Sequence, residues 1–230
     1  MKKATLSFCF LLFISTSFSQ LDPVTGNLSG QVYSVHGKLA TGFVESFKSG
    51  SPFFDNNWMN SSVVLIDGRE INNLKTKINL MTDEVYYLEN NTAYVADSPI
   101  KEIIVLDENG KEKTRFTNLS VLNLANKKST NGWHLLNVSG PASLYTRLEK
   151  VIEEDRQYSS ATVDRSIITK KKYLLYYNYA TYEIKKLKDI ISVLPDKKAE
   201  LEKYIQQKEL KSSEEDYRKL VTYYNSLQAK

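Results

Sequence analysis

Histidine and cysteine are scarce in this chain, and their scarcity limits the catalytic and metal chemistry available to it. Among 230 residues there are two histidines, His36 and His134, and one cysteine, Cys9. Zinc hydrolase sites use closely spaced His and Glu ligands, and no such pairing occurs. A Ser-His-Asp triad built on His134 would lack the Gly-x-Ser-x-Gly elbow. We therefore predict no catalytic residue, no metal site and no cofactor.

Acidic residues offer a second chemistry, because two carboxylates suffice for glycoside hydrolysis. The densest cluster is Glu153-Glu154-Asp155. On a strand, Glu153 and Asp155 would share a face. A carboxylate-based hydrolase using either residue is therefore an alternative, and it requires a cleft that holds two carboxylates. A solvated charged face at the end of an element explains the same cluster, and we favour a non-catalytic role.

Tyrosine is concentrated in one short stretch that we predict as a candidate binding surface. The stretch contains Tyr173, Tyr176, Tyr177, Tyr179 and Tyr182. Such a surface would suit a glycan, a peptide or a partner protein, since tyrosine joins an apolar ring to a polar hydroxyl. Strand alternation would place Tyr173 and Tyr177 on one face and Tyr176 on the other. The competing interpretation is a strand pair that lines the core beside a charged flank.

The N-terminus has the layout of a secretory signal peptide over residues 1–19. Two lysines precede an apolar stretch from Leu6 to Ile14, and Ser17 and Ser19 stand before Gln20. The apolar stretch is shorter than the roughly 20 residues that a membrane span needs, and no later stretch reaches that length. A lipid anchor would require cysteine in place of Gln20. We predict an exported protein, periplasmic or extracellular, with no transmembrane segment and no lipid anchor.

Removal of that leader leaves 211 of the 230 residues, with no cysteine and a formal charge of +2. Disulfide frameworks, thiolate nucleophiles and zinc–thiolate sites are thereby excluded from the mature chain. So small a charge gives no argument for nucleic acid binding. Single-stranded nucleic acid at the basic and aromatic stretch of residues 170–182 would also conflict with export.

The distribution of glycine divides the remaining chain into a glycine-containing part and a glycine-free part. All nine glycines lie at or before Gly140, and residues 183–230 contain none. Before that break, turn dipeptides such as Asp67-Gly68 and Asn109-Gly110 separate short apolar runs, a pattern typical of β-hairpins. We predict an extended arm at 20–45 and an antiparallel β meander at 46–182, forming a sheet or a partly closed barrel. Within it, residues 143–152 fit a strand or a helix, and residues 158–169 an irregular excursion.

The C-terminal segment, residues 183–230, is predicted to form a small helical subdomain. Ile184, Leu187, Ile191 and Leu194 share a helical face, and Pro195 ends that helix. A second stripe comprises Leu201, Tyr204 and Ile205. Ser212 and Glu215 match a capping box that would begin a third helix. The predicted fold class is therefore α+β, a mostly antiparallel meander followed by C-terminal helices.

Several segments resemble a group of uncharacterised exported proteins from Bacteroidota. The segment from Leu194 to Ile205 and the segment from Glu214 to Asn225 are similar to their C-terminal end, and Gly50 to Phe54 is similar to their N-terminal start. The resemblance implies a bacterial envelope setting. It assigns no functional residue.

Together these patterns favour an exported, non-catalytic binding or structural protein of the bacterial envelope. Its partner is unknown, an envelope protein or a glycan being the candidates. Besides the hydrolase, a second alternative is an adaptor that binds a partner protein through the helices at 183–230. That adaptor requires exposed apolar surface on the helices.

Overall fold

Short apolar runs separated by turn residues form strands, and the glycine-free end forms helices. The computed structural model describes residues 35–40, 47–122, 131–155 and 163–228, all within one unit, Ser34–Lys230. The strands in these residues are β1 (Gly37–Leu39), β2 (Met59–Leu65), β3 (Glu70–Asn79), β4 (Glu84–Glu89), β5 (Thr92–Ala96), β6 (Ile100–Leu106), β7 (Glu112–Asn118), β8 (Trp133–Val138), β9 (Ser143–Asp155), β10 (Asp164–Tyr177) and β11 (Ala180–Ile184). The helices are α1 (Leu187–Val193), α2 (Lys198–Lys208) and α3 (Glu214–Gln228), with 3₁₀ turns at Leu119–Val121 and Pro195–Lys197.

One antiparallel sheet contains all of these strands, and β2 is the point from which two meanders run in opposite directions. The order across the sheet is β1-β5-β4-β3-β2-β6-β7-β8-β9-β10-β11. Strands β3, β4 and β5 extend from one edge of β2, and β6 returns to its other edge. The predicted α+β class, an antiparallel meander followed by C-terminal helices, is confirmed.

The sheet is rolled without closing into a barrel. The segment before β2 touches two distant strands: the Lys48 amide donates to the Arg165 carbonyl of β10, and the Phe54 amide donates to the Ile78 carbonyl of β3. The tightest link runs from Ser49, whose carbonyl accepts from the Ile167 amide of β10, to Pro52, whose carbonyl accepts from the Leu80 amide just after β3. Three residue steps and two hydrogen-bonded spacings reach at most about 21 Å, whereas six strand spacings in a flat sheet cover about 29 Å. The sheet must therefore curl to bring β3 and β10 within reach of this segment.

Apolar residues on the inner face of the roll form the main core. On β9, Leu144, Thr146 and Leu148 alternate onto this face, since side chains of a strand point to opposite sides in turn. Leu148 packs against the main core and Leu144 against the helices, so both cores share one face of the sheet. The most enclosed members of the main core are Val63, Ile78, Ile103 and Phe116.

The helices pack on the end of this face formed by β8 to β11. Leu187, Ile190 and Ile191 of α1, Leu201 of α2 and Leu220 of α3 belong to one buried cluster. The same cluster takes in Leu144, Leu175 and Ile184 of the sheet and Ala142 in the turn before β9. The helices are short, and helices of this length depend on such tertiary packing.

Three local predictions need correction. Residues 164–169 are strand rather than irregular, because the backbone there pairs with β9 on one edge and with Ser49 on the other. Ile184 ends β11, where it pairs with Tyr173, and does not begin a helix. The third helix is capped by Ser213 and Asp216, one residue later than predicted, through the Asp216 amide and the Ser213 hydroxyl at 3.2 Å.

The uncertain stretch at 143–152 belongs to strand β9. The predicted leader at 1–19 and most of the arm at 20–45 lie outside the described residues. Within the arm, the described residues 35–40 include β1, which pairs with β5.

Candidate functional site

The predicted tyrosine surface is distributed over both faces of β10. Tyr173 and Tyr177 lie beneath the helices, where their rings meet those of Tyr217 and Tyr224 edge to face at 5.2 Å and 6.0 Å. Such pairs add to the stability of a core beyond the area they bury. These two tyrosines therefore join the helices to the sheet.

The other three tyrosines occupy different surroundings. Tyr176 lies on the opposite face, against a small cluster that contains Leu119 and Leu174. Tyr179 is 73% exposed in the turn between β10 and β11, and Tyr182 is 39% exposed. The fold does not bring the five rings together, and Tyr179 and Tyr182 are the two that face solvent.

The histidines and the acidic cluster lie apart from one another. His134 is fully buried, with Nδ1 3.0 Å from the Gly132 carbonyl oxygen, and His36 is exposed. Glu153 and Asp155 are exposed on β9. Neither carboxylate lines any of the three clefts described below.

Two further observations concern the described residues only. No group of three His, Cys, Asp or Glu side chains there is close enough to hold a metal ion. None of the helices in that part of the chain combines the length and the apolar character needed to cross a bilayer.

An ion pair ties the β3–β4 turn to β9. Arg147 donates from both terminal nitrogens to the Asp83 carboxylate, at 2.7 Å and 2.9 Å. The Trp133 indole donates to the Asp83 carbonyl oxygen at 3.0 Å. A bidentate pair of this kind fixes geometry as well as charge. The pair links parts of the sheet that are 64 residues apart in the sequence.

A second polar cluster joins α3 to the sheet around Glu214. One carboxylate oxygen accepts from the Lys171 ammonium at 2.8 Å and from the Tyr173 hydroxyl at 3.1 Å, and the other accepts from Asn137 at 3.2 Å. Burial opposes ionisation of Glu214, but the hydrogen bond and charge of Lys171 outweigh it and hold the pKa below its ordinary value. Burial and the Glu214 charge raise the pKa of Tyr173 to about 12.

The largest described opening in the surface is a cleft of about 700 Å³ between α1, α2 and the loop before α3. Its apolar floor is formed by Leu187 and Ile191 of α1 and Ile205 of α2. Pockets that hold ligands commonly have volumes of this size and an apolar lining. We call this feature the α1–α2 cleft.

The apolar stripe of α2 is divided among the helical core, α3 and the α1–α2 cleft. Leu201 is fully buried in the helical core, and Tyr204 stacks on Tyr223 of α3 at 4.0 Å. Ile205 is then left half-buried beside α1. Part of the Ile205 side chain therefore stays uncovered and lines the cleft.

Lysines dominate the rim of the α1–α2 cleft. Lys186, Lys188 and Lys198 line it together with one acidic residue, Glu202. Lys198 and Glu202 lie one turn apart with their charged atoms at 4.0 Å. The cleft therefore combines an apolar floor with an excess of positive charge.

A shallower cleft of about 420 Å³ lies beside the stacked Tyr204 and Tyr223 rings, with Arg218 and Lys219 at its edge. A third, of about 180 Å³, is lined by charged residues of both signs on β9 to β11, among them Arg147 and Lys172. Both offer less apolar surface than the α1–α2 cleft.

Sequence reasoning did not single out the residues of the α1–α2 cleft. Ile205 was expected on an apolar stripe, and the lysines were not given a role. A usable signal was present, since Lys186 and Lys188 flank Leu187 at the start of a helix and Lys198 precedes Ile205 by two turns.

We compared the chain with protein-family models, with curated proteins and with solved structures, and none of the three comparisons found a match.

Proposed function

We propose that this protein is an exported, non-catalytic binding protein of the bacterial envelope, and that the α1–α2 cleft is its binding site. The observation that carries the proposal is the cleft itself: about 700 Å³ with an apolar floor and three lysines at its rim. The export part is supported by the leader-like residues 1–19 and by the absence of cysteine from residues 20–230. The resemblance to exported Bacteroidota proteins points to the same compartment.

A binding role is preferred to a catalytic one because of what lines the cleft. Its polar groups are lysines, serines, one glutamine and one glutamate, and Lys198 lies beside the glutamate. General acid–base catalysis needs a titratable group poised against a reacting atom. An apolar floor with a charged rim instead serves recognition, with burial supplying affinity and charge supplying orientation.

Site-specific photocrosslinking in the native envelope tests the binding site. A photoreactive residue replaces exposed Ser192 in the cleft, and in a matched control it replaces exposed Lys113 on β7. We expect a recurrent adduct from position 192 and none from position 113. Equal labelling at both positions, or none at either, would refute the proposed site.

Intact-mass measurement of the protein purified from cell fractions tests export. We expect a chain that begins at Gln20 in the periplasmic fraction or the culture medium. An uncleaved chain confined to the cytoplasm would refute the exported setting.

A further inference from the structure

We infer that the α1–α2 cleft binds an acidic segment of a partner protein, whose apolar side chains lie on the floor while its carboxylates pair with the rim lysines. This inference rests on the proposed function and adds the chemical class of the partner. Three features of the cleft support it: the residual exposure of the floor, the charge of the rim and the polarity of the walls.

The floor retains apolar surface that the helical core does not cover. Leu187 and Ile191 are each 8% exposed, whereas Ile190 between them is completely enclosed. Ile205 faces them from α2 and is half-buried. These side chains come from two helices, so a bound segment would contact both. Amphipathic segments bind such grooves through a few anchor side chains at helical spacing.

The rim has more positive charge than its own carboxylates neutralise. Among the described residues, no carboxylate lies within 4.0 Å of the ammonium group of Lys186 or Lys188. The nearby Asp189 carboxylate accepts from the backbone amides of Lys185 and Lys186, at 2.9 Å and 3.0 Å. Carboxylates of a partner would therefore complement this rim, and like charges would be repelled.

The walls favour a peptide over an acyl chain. Ser192, Gln206 and Ser212 also line the cleft. The Ser192 hydroxyl donates to the Lys188 carbonyl and the Ser212 hydroxyl accepts from the Leu187 amide, so Ser192 can still accept, Ser212 can still donate, and the Gln206 amide can do both toward a peptide backbone. An acyl chain gains affinity only by leaving water along its whole length, and this cleft is open to solvent with only three aliphatic residues on its floor.

Fluorescence anisotropy with the full chain tests the inference. The probe is a labelled peptide with leucine at alternating three- and four-residue spacing and glutamate between. In one comparison peptide lysine replaces glutamate, and in another serine replaces leucine. We expect the acidic leucine peptide to bind, the basic one not to bind and the serine one to bind at least roughly tenfold more weakly. Equal binding of the acidic and basic peptides would overturn the inference.

Two charge-matched variants locate the binding. The cleft variant Lys186→Glu/Lys188→Glu should weaken binding by roughly tenfold or more. The control Lys208→Glu/Lys211→Glu makes the same charge change on exposed residues that do not line the cleft, and it should leave binding within about twofold. Matching circular dichroism spectra and melting temperatures establish that both variants fold. An equal loss in both would overturn the inference.

The outcomes separate this inference from the proposed function. Adducts at position 192 without binding of the acidic peptide would overturn the partner class and leave the binding site standing. A concentration-dependent dimer abolished by the cleft variant would make a second copy the occupant, and it would also overturn the inference. Absence of both adducts and peptide binding would remove both proposals.

Discussion

The rolled sheet and the helical subdomain bury their apolar residues in different ways. In the sheet, backbone hydrogen bonds hold neighbouring strands at a fixed spacing of about 4.8 Å, and residues such as Ile78, Ile103 and Phe116 are enclosed from several strands at once. In the helical subdomain, each of the three short helices has one apolar stripe, and that stripe must pack against both the sheet and the other helices. The two larger described clefts both lie among the helices.

This contrast suggests where binding surface arises in such a protein. Strands are joined along their edges by backbone hydrogen bonds, so a curled sheet leaves little space between neighbouring strands. Helices touch only through side chains at separations of about 8–10 Å, so a stripe that is shared between neighbours leaves a groove. The helical subdomain nevertheless shares a core with β9 to β11, and we expect the two regions to unfold together.

The largest expected effects on stability come from truncating one enclosed apolar side chain in each core. Ile103 of the sheet and Leu220 of α3 are both fully enclosed, and replacing either with alanine should lower the free energy of unfolding by about 3 kcal/mol. Trp58 and Trp133 both belong to the sheet region, so tryptophan fluorescence reports on the sheet and circular dichroism at 222 nm on the helices. In urea, the two signals should move together in both variants.

Separate transitions would contradict the shared core. In that case Leu220→Ala would shift only the helical signal and Ile103→Ala only the fluorescence. A conservative change at an exposed position, Lys113→Arg, serves as the control and should shift neither midpoint.

A glycine pair tests whether the Asp83–Arg147 ion pair holds the roll. Gly132 has φ +79°, and an added Cβ would collide with the Arg147 guanidinium and the Asp83 carboxylate. Gly110 has φ +75° in open space. Gly110→Ala should cost about 1 kcal/mol from the left-handed backbone alone. Gly132→Ala should cost about 1–2 kcal/mol more, because the partly buried ion pair must also be displaced.

Urea denaturation of both glycine variants measures this difference. Equal losses of stability would show that displacing the ion pair does not lower the free energy of unfolding, and that the rolled sheet does not depend on the pair.

The Glu214 cluster gives a pH-dependent test of the junction between the two regions. The pKa of Glu214 in the folded protein lies below the ordinary value of 4.5. Its contribution is therefore complete above that value and is lost as the pH falls through the folded-state pKa. Glu214→Gln should lower the free energy of unfolding at pH 7 by about 1–2 kcal/mol. This difference in stability from the wild type should become smaller in acid, because the wild type then loses the contribution of the Glu214 carboxylate.

Urea midpoints measured from pH 7 down to pH 3 provide the readout. Glu215→Gln is the matched control, since Glu215 is exposed and lies 3.7 Å from Lys219 on the helix surface. It should change stability by only a few tenths of a kcal/mol. If the stability difference between wild type and Glu214→Gln grew as the pH fell, the pKa of Glu214 could not lie below its ordinary value in the folded protein.

The smallest expected effect is a gain in stability at the end of α2. Glu209 follows this helix in a left-handed conformation, with φ 49° and ψ 40°, which glycine adopts more readily. Glu209→Gly should raise the free energy of unfolding by about 0.5–1 kcal/mol. Glu209→Ala removes the same charge but keeps a Cβ atom, so it should not give this gain. A gain of equal size in both variants would assign it to the charge instead.

Much of the fold could be predicted because its signals are local. Asn109-Gly110 marks the hairpin between β6 and β7, where Gly110 has φ +75°, as a tight turn requires. Pro195 separates α1 from α2 as expected. Alternation also placed Tyr173 and Tyr177 opposite Tyr176. Each of these outcomes depends on interactions within a few residues.

Other features were missed because they depend on distant partners. The polar residues 164–169 form a strand since β9 and Ser49 pair with its two edges, and Ser49 is far away in the sequence. Asp83 and Arg147 gave no pairing signal for the same reason. The α1–α2 cleft was equally hidden, because the stripe of α2 alone does not reveal which neighbour each residue will meet.

By itself the amino-acid order determined the antiparallel strands, the position of the change from sheet to helix and the scarcity of groups for metal or thiol chemistry, since turn residues, periodicity and side-chain inventory act locally. Tertiary structure alone decided the roll of the sheet, the burial of Tyr173 and Tyr177 beneath the helices and the presence of a basic cleft on an apolar floor. These depend on which surfaces meet across the chain, and that choice is made by packing and by long-range hydrogen bonds.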